Sequence, residues 1–136
     1  MENLLQAFIS TLDAAFKEQL SQVADLNLTV SQTVYIEAIA KLGQPSITEL
    51  ARGLGVTRAS VTVGVNKLAK QGYVSKLRSS EDKRVVRLSL TPVSEQLIEA
   101  RHQVLASYSA SVRAALTPAE AQQFEAIITK LIEHFS

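Results

Sequence analysis

The sequence predicts a mainly α-helical protein of the α+β class, and three observations indicate it. Apolar side chains recur at the i, i+3, i+4 spacing of amphipathic helices over most of the 136 residues. Only the stretch between Gly72 and Thr91 changes to the two-residue alternation that is typical of β-strands. With 46% hydrophobic residues, the chain is also long enough to bury the core of one ordinary domain.

Two amphipathic helices are predicted in the N-terminal part of the chain. The first covers residues 3–23, where the helical spacing is kept by Leu5, Phe8, Ile9, Leu12, Phe16, Leu20 and Val23. Residues 25–28 are predicted as a loop. The second helix is predicted from about Ser31 to Leu42, because Gly43 and Pro45 then end it.

Two further helices, joined by a glycine-containing turn, are predicted in the middle of the chain. Residues 46–49 (SITE) have the form of a capping box, which opens a short helix that ends at residues 53–56. Thr57 then suits the N-cap of a helix of about four turns, because its hydroxyl can accept from backbone N–H groups of the first turn. Gly72 suits the left-handed position just beyond the end of that helix.

The helix that follows Thr57 is predicted to have one apolar and one polar face. At 100° per residue, Val61, Val65 and Leu68 fall on one stripe. The face roughly opposite carries Ala59, Thr62, Val63, Asn66 and Lys70, with Lys67 beside them. We therefore expect the first face to pack on a core and the second face to meet a polar partner.

A β-hairpin is predicted after Gly72. Residues 73–77 face residues 85–90, in which Val86, Leu88 and Leu90 alternate with side chains of the other face. A polar tip at residues 79–84 joins the two strands. A short helix, a turn with glycine, a second helix and a hairpin follow in the order of a winged helix-turn-helix with a two-stranded wing.

Two helices are predicted beyond the hairpin. Thr91 as N-cap and Pro92 as the first helical residue open a helix that nothing stops before about Ala115. Residues 117–120 (TPAE) form a second capping box with proline at the first helical position. The last helix carries a wide apolar stripe, made of Phe124, Ile127, Ile128, Leu131, Ile132 and Phe135.

The apolar stripes of the terminal helices predict a homodimer. Because such stripes would face water in a monomer, we expect them to meet a second copy across a two-fold axis. The candidate dimerisation residues are Phe8, Leu12, Phe16, Ile128, Leu131 and Phe135. In this prediction residues 1–136 form a single domain, with a winged helix-turn-helix lobe at 29–91 and a helical dimerisation region made of 1–28 and 92–136. The alternative is that the terminal helices pack only on their own chain.

Charge is concentrated in the middle of the chain. Residues 45–92 hold nine basic and three acidic residues, a net charge of +6, whereas the whole chain has a formal net charge of only +1. A basic helix and hairpin can neutralise the phosphates of a nucleic acid. The alternative is an ordinary solvated face.

Six short segments, in this order and at these spacings, carry a resemblance to a known family. They are LTVSQ at 28–32, ITELA at 47–51 with LGV at 54–56, LAKQGYV at 68–74, EDKR at 81–84 and LSLT at 88–91. The chain resembles the MarR family of transcriptional regulators over most of its length. One departure is Val93, which stands where the family usually has glycine.

The resemblance implies a homodimeric repressor that binds double-stranded DNA with an inverted-repeat operator. The recognition-helix candidates are Arg58, Ser60, Thr62, Val63, Asn66, Lys67 and Lys70, and the wing candidates are Arg78, Lys83 and Arg84. In this family an Asp-x-Arg at the wing tip places the arginine in the minor groove, so Asp82 is expected to support Arg84. Asn66 is predicted to pair with adenine, and Val63 either meets a thymine methyl group or packs partly buried.

The resemblance also implies a small phenolic or anionic effector, bound between the dimer helices and the DNA-binding lobe. Tyr35 is interpreted as a core residue, with a position facing such a ligand as the alternative. A different class of function also stays open, namely a winged-helix scaffold that binds protein without sequence-specific DNA binding.

Several classes of function find no support in the sequence. The chain has no cysteine, which excludes a disulfide framework and a thiol switch. Neither His102 nor His134 has partners at the spacing of a strong metal site, and no nucleophile or phosphate-binding motif is present, so no cofactor, metal or enzymatic activity is expected. No apolar run reaches about 18 residues and residues 1–3 lack a basic start, so we expect a cytoplasmic protein without membrane contact.

Overall fold

The computed structural model describes residues 1–21 and 28–136. The elements are α1 (Glu2–Ser21), α2 (Val30–Leu42), α3 (Ile47–Leu54), α4 (Arg58–Lys70), β1 (Val74–Arg78), β2 (Val86–Leu90), α5 (Pro92–Ala115) and α6 (Pro118–Phe135). The fold is mainly helical with a two-stranded antiparallel wing, as predicted. The last two residues of the predicted first helix, and the predicted loop up to residue 27, lie outside the described residues.

Side-chain caps determine where several helices begin. The predicted N-caps at Thr57 and Thr117 are confirmed, because each hydroxyl accepts from the backbone N–H three residues later. The start of α2 was predicted about one residue too late. There Thr29 accepts from the N–H of Gln32, and Gln32 Oε1 accepts from the N–H of Thr29. This reciprocal box allows the helix to begin at Val30.

The core of the first part of the chain surrounds the apolar face of α4. Val61, Val65 and Leu68 are fully buried, as the helical spacing predicted. They pack in one cluster with apolar side chains of α2, α3, both strands and the start of α5, which include Ile36, Ile39, Leu50, Val74, Leu88 and Leu97. Tyr35 is half-buried against this cluster, in agreement with its interpretation as a core residue. Burial of this face fixes which side of α4 is left for a partner.

The wing pairs residue 74 with residue 90 and residue 78 with residue 86. Its base is tied to the elements on either side. The backbone N–H of Leu88 donates to the carbonyl oxygen of Pro45 at 2.8 Å. Gly72, with φ of 83°, reverses the chain after α4. The hydroxyl of Thr91, which the sequence predicted as a helix cap, donates to the Gly72 carbonyl oxygen at 2.6 Å.

The chain divides into two compact units, Met1–Arg101 and His102–Ser136, and α5 contributes to both. Within the second unit, Arg113 on α5 pairs with Glu125 on α6, with 2.9 Å between Nη2 and Oε1. Across residues 1–21 and 28–136, no helix is long and apolar enough to cross a membrane.

Candidate nucleic-acid interface

The face of α4 that points away from the core carries all of the predicted recognition residues. These residues are exposed, and they are Arg58, Ser60, Thr62, Val63, Asn66, Lys67 and Lys70. Val63 is 63% exposed, so its methyl groups are open to a partner and do not pack within this chain. An apolar side chain that is exposed on an otherwise polar face can contact another apolar group, such as a thymine methyl.

The second half of this face is concave. Val63, Asn66, Lys67 and Lys70 line one open concavity of about 690 Å³ together with Ala69. The side chains of Lys67, Lys70 and Asn66 present hydrogen-bond donors there, and the amide oxygen of Asn66 is the one acceptor among them. A surface rich in donors is complementary to a nucleic acid, whose surface is rich in acceptors.

Two hydroxyl groups near the start of α4 already donate within the helix. Thr62 Oγ1 donates to the Arg58 carbonyl oxygen at 2.9 Å, and Thr57 Oγ1 donates to Ser60 Oγ at 3.0 Å. Because each hydroxyl has one proton and two lone pairs, the Thr62 oxygen remains able to accept a hydrogen bond from a partner.

Lys76 joins the wing to the recognition face, and the sequence did not predict it as a site residue. Its Nζ donates to Asn66 Oδ1, so a strand residue contacts a helix residue ten positions earlier. The one available signal was strand alternation, which places Lys76 on the same face of β1 as the buried Val74. Because Lys76 is exposed, its ammonium group can extend to the exposed face of α4.

At the wing tip, Asp82 holds Arg84 at three points. Asp82 Oδ1 accepts from the backbone N–H of Arg84 at 3.0 Å and from its Nε at 3.2 Å, and Oδ2 accepts from Nη2 at 3.3 Å. Two hydrogen bonds from Arg84 hold the pKa of Asp82 below its usual range. The side-chain hydrogen bond has the larger effect and the backbone hydrogen bond the smaller one. The Arg84 side chain is nevertheless 91% exposed. The pair therefore presents a cation to solvent in a defined direction.

The loop around this pair is closed by its own backbone. The N–H of Val85 donates to the Asp82 carbonyl oxygen at 3.0 Å, and the N–H of Ser79 donates to the Val85 carbonyl oxygen at 2.9 Å. The other two wing candidates are exposed on this frame, with Arg78 at the end of β1 and Lys83 between the paired residues.

The base of the wing is braced against the helix-turn-helix. Arg87 Nη1 on β2 donates to Glu49 Oε1 on α3 at 2.8 Å. This hydrogen bond lowers the pKa of the Glu49 carboxyl group. Arg87, one of the basic residues of segment 45–92, is thus already ion-paired within the protein.

A crevice lies among α1, α2 and α5 in the first unit. It measures about 500 Å³, and its lining residues are Asp13, Phe16, Lys17, Leu20, Ser21, Leu28, Thr33, Val34, Glu37, Leu97 and Arg101. The Arg101 guanidinium lies 5.2 Å from the ring centroid of Phe16, and its Nε lies 2.5 Å from Glu37 Oε1. This Nε is buried and is engaged by Glu37, so Arg101 brings a cation that is already ion-paired to the crevice.

The predicted dimerisation residues fall in both units. In α1, Phe8 and Leu12 are exposed and Phe16 is half-buried. In α6, Ile128, Leu131 and Phe135 are exposed. The part of the chain that the structure describes contains no group of three His, Asp or Glu side chains that could hold a metal ion.

Comparison with known proteins identifies relatives. A model described as the MarR family matches residues 28–86. The HTH-type transcriptional regulator PapX of Escherichia coli is 33% identical over 91 residues, which cover 67% of this chain and 56% of PapX. The transcriptional regulator AdcR of Streptococcus pneumoniae is 32% identical over 97 residues, which cover 67% of this chain and 66% of AdcR. The matched region therefore spans less than two thirds of either relative.

Solved structures show the same fold. Streptococcus pneumoniae FabT, in a crystal structure with DNA, is 21% identical and superposes with a TM-score of 0.81, covering 98% of this chain and 93% of that chain. The YusO protein of Bacillus subtilis is 24% identical, with a TM-score of 0.67 and coverage of 97% and 92%.

Proposed function

Because this chain belongs to the MarR family of DNA-binding transcriptional regulators, which are not enzymes, we propose that it is a homodimeric repressor. In this proposal the dimer binds an inverted-repeat operator, and a small phenolic or anionic effector releases it. The observation that carries the proposal is the exposed, cationic face of α4 beside the exposed cation at the wing tip.

The recognition helix α4 supplies the base-reading residues. A helix of this kind enters the major groove with its polar face towards the base edges, and its opposite face stays buried in the protein. Arg58, Lys67 and Lys70 are exposed on the polar face. Arg58 and Lys67 serve phosphates or guanine, and Lys70 serves a phosphate. Asn66 and Val63 lie between them and serve base edges.

The wing reaches the neighbouring minor groove through Arg84. A narrow A·T-rich minor groove concentrates negative potential, and a weakly hydrated guanidinium gains more there than on an open phosphate. The three hydrogen bonds that Arg84 donates to the Asp82 carboxylate restrict the loop before binding. This reduces the conformational entropy that Arg84 would lose on insertion. Arg78 and Lys83 add phosphate contacts beside it.

The exposed apolar faces of α1 and α6 are proposed to meet those of a second copy. An apolar face of this kind on a protein surface marks an interaction site. In the proposed division, residues 1–28 and 92–136 form the dimerisation region around a DNA-binding lobe at 29–91. Two-fold symmetry then presents two copies of α4 to half-sites about one helical turn apart.

The crevice among α1, α2 and α5 is the proposed effector site. Its volume of about 500 Å³ suits a small molecule, and it combines apolar walls with the guanidinium of Arg101. An anionic group that enters would compete with Glu37 for Arg101. Calorimetric titration of aromatic carboxylates should give binding that Arg101→Gln weakens about tenfold, which corresponds to about 1.4 kcal/mol. Equal binding to both proteins would place the effector elsewhere.

DNA binding itself is tested by its dependence on salt. The anisotropy of labelled random duplex DNA should rise on titration with the protein, and log affinity should fall linearly with log salt between about 50 and 200 mM. A winged-helix scaffold that binds only protein would leave the anisotropy unchanged at every salt concentration.

A further inference from the structure

The contact between Lys76 and Asn66 joins the wing to the recognition helix. Lys76 lies in β1 and Asn66 on the exposed face of α4, and the lysine ammonium donates to Asn66 Oδ1. Both side chains are exposed, and Asn66 lines the concavity on the recognition face. The pair is therefore open to the same partner as α4.

The chemistry of the pair fixes the orientation of the amide. An ammonium group has three N–H donors and no lone pair, so the atom of Asn66 that faces it has to be the oxygen. The alternative amide orientation would place an NH₂ group against a cation and is excluded by repulsion. Asn66 Nδ2, with its two N–H donors, consequently points away from Lys76.

An asparagine held in this way reads bases differently from a free one. A free asparagine pairs with adenine by donating to N7 and accepting from the N6 amino group. Here Lys76 takes one of the two lone pairs of the amide oxygen, and its positive charge beside that oxygen opposes the approach of the adenine amino group. Guanine presents two acceptors in the major groove, N7 and O6, which suit the N–H donors of Asn66 Nδ2 and the Lys76 ammonium group.

We propose that Lys76 is a specificity-determining residue, which weakens Asn66 as an acceptor and favours guanine over adenine at the contacted base pair. This inference rests on the proposed DNA-binding function and revises the adenine contact that Asn66 alone predicts. It assigns Lys76 a role different from that of a phosphate-contacting lysine. A phosphate contact would raise affinity for all sequences alike.

The test uses the full-length protein and a duplex selected for tight binding. Asn66→Ala first identifies the base pair at which discrimination is lost. Affinities are then measured for four duplexes that differ only at that base pair. We expect the wild-type protein to prefer guanine over adenine by about tenfold, which is within the range of one good side-chain contact to a base pair. Lys76→Met should reduce or reverse this ratio, and Lys76→Arg, which also offers only donors, should keep it.

Two controls separate this role from a general effect of charge. Lys70→Met, on the same face of α4, should weaken binding to all four duplexes equally and reduce the slope of log affinity against log salt by about one. In the Asn66→Ala background, Lys76→Met should no longer change the ratio between guanine and adenine. Unchanged melting temperatures show that the variants fold.

Three outcomes would overturn the inference while leaving the proposed function in place. They are a wild-type preference for adenine, a Lys76→Met variant that weakens all four duplexes equally, and a Lys76→Met variant that changes nothing. A wild-type protein that selects no duplex at all would reject the proposed function, and this inference with it.

Discussion

The ring of Tyr35 on α2 lies so close to Gly64 on α4 that a Cβ at residue 64 would meet its Cε2 atom at 2.9 Å. Glycine in the middle of a helix costs about 1 kcal/mol relative to alanine. The close approach of a half-buried ring explains why the recognition helix nevertheless has glycine there. Tyr35 therefore helps to fix the distance between α2 and α4.

We expect Gly64→Ala to destabilise the protein. The added methyl group forces the Tyr35 ring or the helix to move, at a cost of about 1 to 3 kcal/mol that exceeds the gain in helix propensity. Urea unfolding of the wild type and the variant measures the difference.

Two further variants test whether the Tyr35 ring is the cause of this destabilisation. In a Tyr35→Ala background, the same Gly64→Ala substitution should stabilise the protein by up to about 1 kcal/mol, because the obstacle is gone. Gly53→Ala is a control within α3, since its Cβ would meet only the flexible end of Leu42, at 3.1 Å. We expect Gly53→Ala to stabilise the protein. If Gly64→Ala also stabilised the wild-type protein, the close contact of Tyr35 with Gly64 would be wrong.

The Asp82–Arg84 pair predicts a low pKa for the Asp82 carboxyl group. This pKa is lowered in the folded protein. The stability that the ionised Asp82 contributes is therefore fully present at a pH above the ordinary carboxyl pKa, and it is lost as the pH falls through the lowered pKa. Carbon-13 NMR titration should find a lower midpoint for Asp82 in the wild type than in Arg84→Ala. Since the backbone N–H of residue 84 still donates in the variant, the midpoint should return only part of the way. Equal midpoints would show that the side-chain contact does not form in solution.

Arg84→Ala should weaken operator binding by about 1 to 3 kcal/mol while the melting temperature stays nearly unchanged. The guanidinium is 91% exposed in the free protein, and its exposed contact with Asp82 contributes little to stability. Fluorescence anisotropy with a labelled operator, together with a thermal scan, checks both parts. A large loss of stability would assign Arg84 a structural role.

Asp82→Ala should also weaken operator binding, although it removes a negative charge from a loop that faces DNA. The hydrogen bonds that set the direction of Arg84 are lost in this variant. Glu81→Ala is the matched control, because it removes an adjacent exposed carboxylate that has no part in these hydrogen bonds. It should bind equally well or more tightly. Tighter binding by Asp82→Ala would mean that simple charge removal dominates and that the supporting role is wrong.

Leu131→Asp should convert the proposed dimer into a monomer. Leu131 is 50% exposed on the apolar face of α6, and a carboxylate there would be buried without a partner in a dimer. Sedimentation at micromolar concentration should find a dimer for the wild type and a monomer for the variant. Lys130→Asp, at the neighbouring exposed position, should remain a dimer. A wild-type monomer at this concentration would contradict the proposed dimer.

Much of the fold could be predicted because its signals are local. The caps at Thr57 and Thr117 and the left-handed Gly72 depend only on the residues beside them. The start of α2 also has a local signal, the capping box of Thr29 and Gln32, whereas the periodicity of the apolar residues alone placed the start about one residue later. The hydroxyl of Thr91 bonds to Gly72, nineteen residues away, and local signals cannot predict such a contact.

The candidate site was predictable in part for the same reason. Helical periodicity separates the buried Val61, Val65 and Leu68 from the exposed residues of α4, so the recognition face follows from the sequence. The contact of Lys76 with Asn66 depends on how the wing folds back on the helix. Strand alternation places Lys76 on the same face of β1 as the buried Val74, but it does not show which residue of another element the long side chain reaches.

Selection of bound duplexes from a random pool tests the central claim most directly, because it returns the sequence, the symmetry and the spacing of the site together. A homodimer that presents two copies of α4 should enrich an inverted repeat with half-site centres about one helical turn apart. Arg84→Ala should weaken any A·T preference in the flanking minor groove. Enrichment of a single unrepeated site, or of no sequence at all, would contradict the dimeric operator-binding repressor.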